Sequence, residues 1–420
     1  MTSRNLMFGL FMAVVICRSV ESADWPQWRG PQRDGTSQET GLLDRWPDEG
    51  PKLLWQLNDL GDGYSTPSVA GVRLYVLTNE GIEDEFVRAY SVADHSEVWT
   101  TRIGQVGNPN QQPPYAASRS TPTVDGDRLY VLSSDGDIAC LNTSDGKILW
   151  TKNVRTEFGG KPGTWAYAES PLVDGDVLIC APGGADATLL ALDKRSGNVV
   201  WKCPVPEADD AGYASPIIVD AAGRKQYVQF LSKGVVGVDA ETGDFLWRYD
   251  GTGSGPANAP TPVAHANLVY SAAGRVGGGL VALKTSGDGV SAEEVYMKRG
   301  LPNGMGGAVL VDGYLYGTSQ PGLICAEFDS GEVKWQDESI GQASVCVADG
   351  RLFLHGFNND VALVEVTPEG YHELGRFSLP DPPEHNRGRM EGAWAYPIVA
   401  DGRLFIRDKG TIWCYDVSGP

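Results

Sequence analysis

What this sequence has little of narrows its chemistry before any motif is sought. Histidine is scarce: His95, His265, His355, His372 and His385 are the five in 420 residues, and none stands in an HxH or HExxH spacing. Zinc sites built on imidazoles at those spacings therefore have no starting point. No GxSxG elbow is present to expose a serine nucleophile. The seven cysteines include no CxxC, no Cys/His metal spacing and no adjacent pair. Basic residues are outnumbered, 34 Lys and Arg against 54 Asp and Glu, for a net charge of −20. Such acidity opposes binding to polyphosphate backbones and anionic membrane surfaces, so nucleic acid is not expected as a partner. Long apolar runs are missing as well. The unbroken stretch at 6–17 is too short to span a bilayer and nothing later approaches that length, so no transmembrane segment is expected.

What is present instead is repetition. Residues 120–154, STPTVDGDRLYVLSSDGDIACLNTSDGKILWTKNV, hold four short apolar runs separated by Gly-containing turns. Asp-Gly between β-rich runs is a strong hairpin signal, because both turn positions tolerate positive φ. No run is long enough for a helix or shows its period. The unit is a four-stranded meander, the size of one propeller blade. Copies begin near Thr66-Pro67, Ser170-Pro171, Ser215-Pro216, Thr261-Pro262, Gly307, Ala343 and Tyr396-Pro397, which with the first makes eight. Seven of the eight first turns carry Gly, and the exception, 264–267, offers Asn267 for the left-handed position.

The outer-strand aromatics fall at 55, 99, 150, 201, 247, 296, 335 and 377, intervals of roughly 40–50 that suit propeller blades. In four copies a Gly (146, 197, 243, 331) lies four residues before the aromatic residue, and Asn142, Asp193, Asp239 or Glu327 lies four earlier still. A side chain that caps the turn, a Gly in the strained position and an indole packed between blades would give this spacing. The eighth unit ends at Tyr415-Asp416-Val417 after three strands, whereas Lys52–Leu57 is a fourth strand with no first three before it. Pairing the two closes the ring and leaves no open sheet edge. The expected fold is all-β, an eight-bladed propeller of four-stranded antiparallel blades occupying 51–420.

Ahead of the ring, Arg4, the apolar run, Arg18 and the small residues Ser19, Ser22 and Ala23 read as a signal peptide over 1–22, cut after Ser22 or Ala23. The protein is then exported, to the periplasm or outside the cell. Lipidation at Cys17 is disfavoured by the bulky Ile16 before it. Residues 23–50 form a Trp-rich arm (Trp25, Trp28, Trp46), expected as an ordered strap with its indoles packed on the outside of the ring. Cys140 and Cys325 sit at equivalent places in blades two and six, and Cys180, Cys346 and Cys414 lie inside apolar strands, so these thiols are expected as buried apolar residues. Gly277-Gly278-Gly279 imitates a dinucleotide fingerprint but opens a strand, where no helix N-terminus can hold phosphate.

The segment Ala191-Leu192-Asp193 … Gly197 … Trp201 resembles the tryptophan-docking motif of the pyrroloquinoline quinone (PQQ)-like propeller repeat, and Asp24-Trp25-Pro26 … Gly35-Thr36-Ser37 is similar to the opening segment of quinoprotein alcohol dehydrogenases. The resemblance covers essentially the whole chain after the leader. It implies one of three roles: a secreted PQQ-like repeat protein binding or scaffolding in the cell envelope, a PQQ- and Ca²⁺-dependent alcohol or sugar dehydrogenase, or a BamB-like outer-membrane assembly factor. The dehydrogenase pattern holds Ca²⁺ with Glu, Asn and Asp, uses an Asp base and stacks a vicinal disulfide on the quinone. Here Glu169 and Asn258 match two oxygen ligands, the loop at 298–306 supplies only Asn303 where the Asp is sought, and no adjacent cysteines exist.

The long interblade loops gather on one face around the channel. Residues just before the first strands should rim its mouth: Tyr64, Arg119, Trp165, Glu169, Tyr213, Asn258, Asn303, Arg389 and Trp394. Tyr64, Arg119, Tyr213 and Trp394 share one offset from the Pro of their strand, which sets them at one level. Aromatic faces with a few polar groups suit a planar or sugar-like ligand. The last loop, PDPPEHNRGRME at 380–391, adds Arg387 and Arg389 in an otherwise acidic chain. The expectation is a monomeric, non-catalytic module without metal or cofactor, binding an envelope protein, a small molecule or a glycan.

Overall fold

The computed structural model describes residues 23–111, 116–255, 257–287, 289–384 and 394–420. Eight four-stranded antiparallel sheets succeed one another around an axis. Their innermost strands are Ser68–Ala70, Thr123–Asp125, Leu172–Asp174, Ile217–Ala221, Val263–His265, Ala308–Val311, Ala343–Ala348 and Ile398–Ala400, for blades one to eight. Blade eight takes its outer strand from the other chain end: Lys52–Leu57 pairs antiparallel with Thr411–Asp416, Leu57 opposite Ile412. The closure read from the sequence is the one found.

The tryptophan spacing works as a wedge between blades. A Cβ placed on Gly146 would lie 2.5 Å from the Trp99 ring, and those on Gly197 and Gly243 would meet Trp150 and Trp201 at 2.8 and 2.5 Å. Each of these glycines has φ near +70 to +80°, so only Gly fits both the turn and the ring lying on it. Trp99 and Trp150 then donate Nε1–H to the carbonyls of Thr143 and Lys194 in the next blade, both at 3.0 Å. Asn142, Asp193 and Asp239 accept the turn amides through Oδ1, as the spacing implied. Trp247 departs from the pattern and donates to Gln226 Oε1 of its own blade. In the 264–267 turn the left-handed residue is Ala266, at φ 50°; Asn267 instead accepts the Ala222 N–H of the neighbouring blade with Oδ1.

A second clasp runs round the inner ring. The Ser or Thr preceding the strand proline accepts, through its hydroxyl, the N–H of the equivalent residue one blade earlier: Tyr396 to Thr66 (3.0 Å), Thr121 to Ser170 (2.9 Å), Ser170 to Ser215 (2.8 Å). These groups are buried, so an unmet donor there would be costly. The repeated Ser/Thr-Pro pair is thus part of the blade-to-blade contact.

The arm corrects an expectation. Trp46 does pack at the ring's outer part, against Phe353 and Phe377, but residues 24–37 run through the centre. Trp25 exchanges both backbone hydrogen bonds with Val69 of blade one, and Pro26 O accepts Val124 N–H of blade two. Arg33 donates to Ser170 O and Pro171 O of blade three and Pro216 O of blade four. Trp28 reaches Thr261 Oγ1 of blade five, Arg29 the Ala308 carbonyl of blade six, Gly35 and Ser37 the backbone of Val347 in blade seven, and Ser37 Oγ the Val399 carbonyl of blade eight. One short segment therefore touches all eight blades. The physical reason is edge pairing: each innermost strand turns one row of peptide groups toward the axis, and these need partners.

Two outcomes follow. Gly146→Val should lower stability by at least about 2 kcal/mol, since it forces both a left-handed β-branched residue and a clash with the Trp99 ring; urea unfolding measures it, and an unchanged midpoint would refute the wedge. A chain lacking residues 24–57 loses axial partner and outer strand together and is expected to aggregate on size-exclusion chromatography rather than run as a monomer.

Candidate functional site

The interblade-loop face brings five of the nine sequence-selected residues together. Tyr64 and Trp394, at the inner ends of blades one and eight, lie tilted against each other with ring centroids 4.7 Å apart. The Arg119 guanidinium lies 5.6 Å above the Tyr64 ring, within cation–π range, and donates to Gln111 Oε1. Trp165 packs against the same cluster and meets Tyr213 at 5.8 Å, its backbone N–H donating to the Tyr213 hydroxyl at 2.9 Å. A shared offset from proline predicted a common level; the loop lengths then let the side chains touch instead of standing apart. Trp165, Tyr213, Arg119 and Trp394 stay partly accessible, so the cluster keeps part of its surface exposed on the loop face.

The other four residues are placed differently. Glu169 is buried below the rim, 2% exposed. Its carboxylate accepts Ala181 N–H at 2.6 Å and Gln229 Nε2–H at 3.5 Å. Burial pushes its carboxyl up to about 7, against the opposing influence of that amide and of Arg33. Asn258 is fully buried and spent on the backbone: Nδ2 donates to Leu231 O and Ser232 O, and Oδ1 accepts from Ser254. Asn303 sits on the lip between blades five and six, its N–H bonded to Thr318 O. Arg389, with His385 and Arg387, lies outside the described residues.

These contacts test the fit of Ca²⁺ and PQQ. The Asn258 oxygen faces donors that a cation would have to displace, and Glu169 looks toward the Arg33 guanidinium, an existing positive charge. Among the described residues no group of three His, Cys, Asp or Glu is placed to hold a metal. The donor set does not fit the ion, and no step is derived through it.

Sequence reasoning missed two features. Arg29 and Arg33 fill the channel from the arm side, and the burial of Arg33 among carbonyls lowers its guanidinium to about 9. Glu85, in strand Asp84–Ser91 of blade one, is buried and accepts Ser134 N–H at 3.1 Å and the Ser134 hydroxyl. Burial raises it to about 7, with Ser134 and Arg119 pulling it down. Its signal was present: Glu85 occupies the phase of Val87 and Ala89, the buried side of its strand. Two cavities, of about 640 and 550 Å³, open on the opposite face, the second between the arm and blades four to six.

A pH effect is expected from the raised carboxyls. Glu85 and Glu169 hold protons to about 7 in the folded chain but release them lower when unfolded. Their contribution is full below the ordinary carboxyl value and is lost as pH rises through about 7. Comparing Tm of the wild type and Glu85→Gln from pH 5 to 8 should show the variant falling less steeply; parallel curves would refute the assignment.

Similarity to known proteins agrees with this architecture. The family model for outer membrane protein assembly factor BamB matches residues 83–337. BamB of Yersinia pestis is 23% identical over 242 residues, 53% of this chain and 55% of that protein. The glycerol dehydrogenase large subunit of Gluconobacter oxydans is 25% identical over 195 residues, 39% of this chain and 25% of its own. The matches thus span between a quarter and about half of these relatives' length. Among solved structures, the quinohemoprotein alcohol dehydrogenase of Comamonas testosteroni superposes with a TM-score of 0.65 at 15% identity, over 94% of this chain and 81% of that one, a likeness of fold. With eight blades, tryptophan wedges and a family match over more than half its length, the chain belongs to the PQQ-like, BamB-like family of β-propellers.

Proposed function

We propose that the protein is a non-catalytic, exported binding module of the cell envelope, with its contact surface on the interblade-loop face. The observation that carries this reading is the cluster of Tyr64, Arg119, Trp165, Tyr213 and Trp394, which offers stacking surface and one guanidinium beside an axis already filled by Arg29 and Arg33. Catalysis needs polar groups free to act on a substrate. The buried Glu169 and Asn258 instead serve the chain's own backbone. Aromatic faces bind sugar rings or an extended protein segment without fixed polar contacts, each good contact worth about 0.5–1.5 kcal/mol. Membership of a family described as an assembly factor favours a protein partner. No helix among the described residues is long and apolar enough to cross a membrane, and the apolar leader accounts for export.

The test has two arms. Reconstitution with PQQ and Ca²⁺, followed by dye-linked oxidation of an alcohol and sugar panel, should give no turnover above a Glu169→Ala control; clear turnover would replace this reading with a quinone dehydrogenase. Titration of tryptophan emission with neutral oligosaccharides and extended peptides should find a ligand whose affinity drops at least about threefold in Trp394→Ala, with Tm unchanged. A lower Tm with unaltered affinity would mean that the aromatics only pack the loops.

A further inference from the structure

Glu39 presents a carboxylate in search of a cation. It is 4% exposed, where the arm leaves the channel beside blade eight. Oε1 accepts Asp401 N–H at 2.8 Å and Oε2 accepts Gly402 N–H at 3.2 Å, both from the first turn of that blade. A third donor is the backbone nitrogen of Ala23, 2.8 Å from Oε1. Among the described residues no Lys, Arg or His pairs with this carboxylate. Buried carboxylates commonly have a cationic partner in addition to hydrogen bonds, because removing a charge from water is costly.

We propose that Ser22–Ala23 is the processing site of the chain, and that Glu39 is the receptor for the α-ammonium group released there. This rests on the export reading above. Of the two bonds that the leader leaves open, the one after Ser22 has Val20 three residues before the cut. The one after Ala23 has the charged Glu21 there, which suits a small-residue cleavage site less well. The step is hydrolysis by the exporting cell's signal peptidase. Water adds across the Ser22 carbonyl and the Ala23 nitrogen, the C–N bond breaks, Ser22 leaves as a carboxylate, and the Ala23 nitrogen takes up protons to become an ammonium. The nitrogen that lies on Glu39 as a neutral amide then becomes the missing cation. Charge-assisted contacts of this kind are roughly twice as strong as neutral ones. Because the residues that follow touch every blade, removal of the leader tightens the anchor of the axial segment and with it the ring. Cleavage is thus coupled to consolidation of the fold.

Two forms of the otherwise full mature chain, released from a cleavable fusion, test this: one beginning at Ala23 and one beginning at Ser22, in which the Ala23 nitrogen remains an amide. The Ala23 form should melt at least about 2 °C higher, and the gap should vanish in Glu39→Gln. Equal melting of the two wild-type forms, or the same gap surviving in Glu39→Gln, would overturn the receptor. If Glu39→Gln fails to fold, the wild-type pair alone decides. Amino-terminal sequencing of the exported protein separates the two readings. Ala23 as first residue supports the processing site, another exported terminus removes it while leaving export intact, and an uncut chain removes both.

Discussion

Eight innermost strands meet around one axis, and each turns a row of peptide groups inward with no ninth strand to receive them. That constraint governs the structure. A propeller can leave such groups to water or fill the channel with donors and acceptors from elsewhere in the chain. Here the segment at 24–37 does the filling. It pairs as backbone with Val69, Val124 and Val347, and it uses Arg29, Arg33 and Trp28 where the strands diverge. The buried Arg33 guanidinium is held almost entirely by carbonyl oxygens. Arginine suits this role, since its donors fan out in a plane and reach several strand ends at once.

Around that axis the blades are held by two contacts of different kinds. On the outside, an indole lies on a glycine turn and bonds a carbonyl of the next blade. On the inside, a hydroxyl accepts the amide of the preceding blade. The first is apolar with one polar anchor, and the second is purely polar and buried. Because both repeat at every few blades, the ring tolerates local departures such as Trp247, which turns to Gln226 of its own sheet. The aromatic cluster then sits on loops that this rigid ring carries.

Most of the ring was legible in the sequence because its signals are local. Asp-Gly turns, alternation and the Gly-to-Trp interval of four each act within one hairpin. The closure at Lys52–Leu57 was legible by counting strands. The arm was not, because its partners are as far off as Val399 and it has no period of its own. Bulky indoles with no visible site read as packing on the outside, and two of the three lie at the centre. The aromatic rim was legible as a set of positions. Which members would touch depended on loop lengths, and whether Asn258 would face a ligand depended on the carbonyls of Leu231 and Ser232 lying within its reach. Ala266 took the left-handed place offered to Asn267 because the amide acceptor was needed to clasp blade four.

Cys140, Cys180, Cys203, Cys325, Cys346 and Cys414 are all free thiols, and all are buried in the sheets. Burial raises Cys140, and raises Cys325 to about 11, so almost no thiolate exists to react while the sheets are intact. In an oxidising compartment this makes the fold its own protection against mispairing. There it would also make unfolding a one-way event: once six thiols are exposed together, random cross-links compete with the return to the ring. In such a compartment the lifetime of the protein would be set by how seldom a blade opens, a kinetic property, more than by the depth of its free-energy minimum.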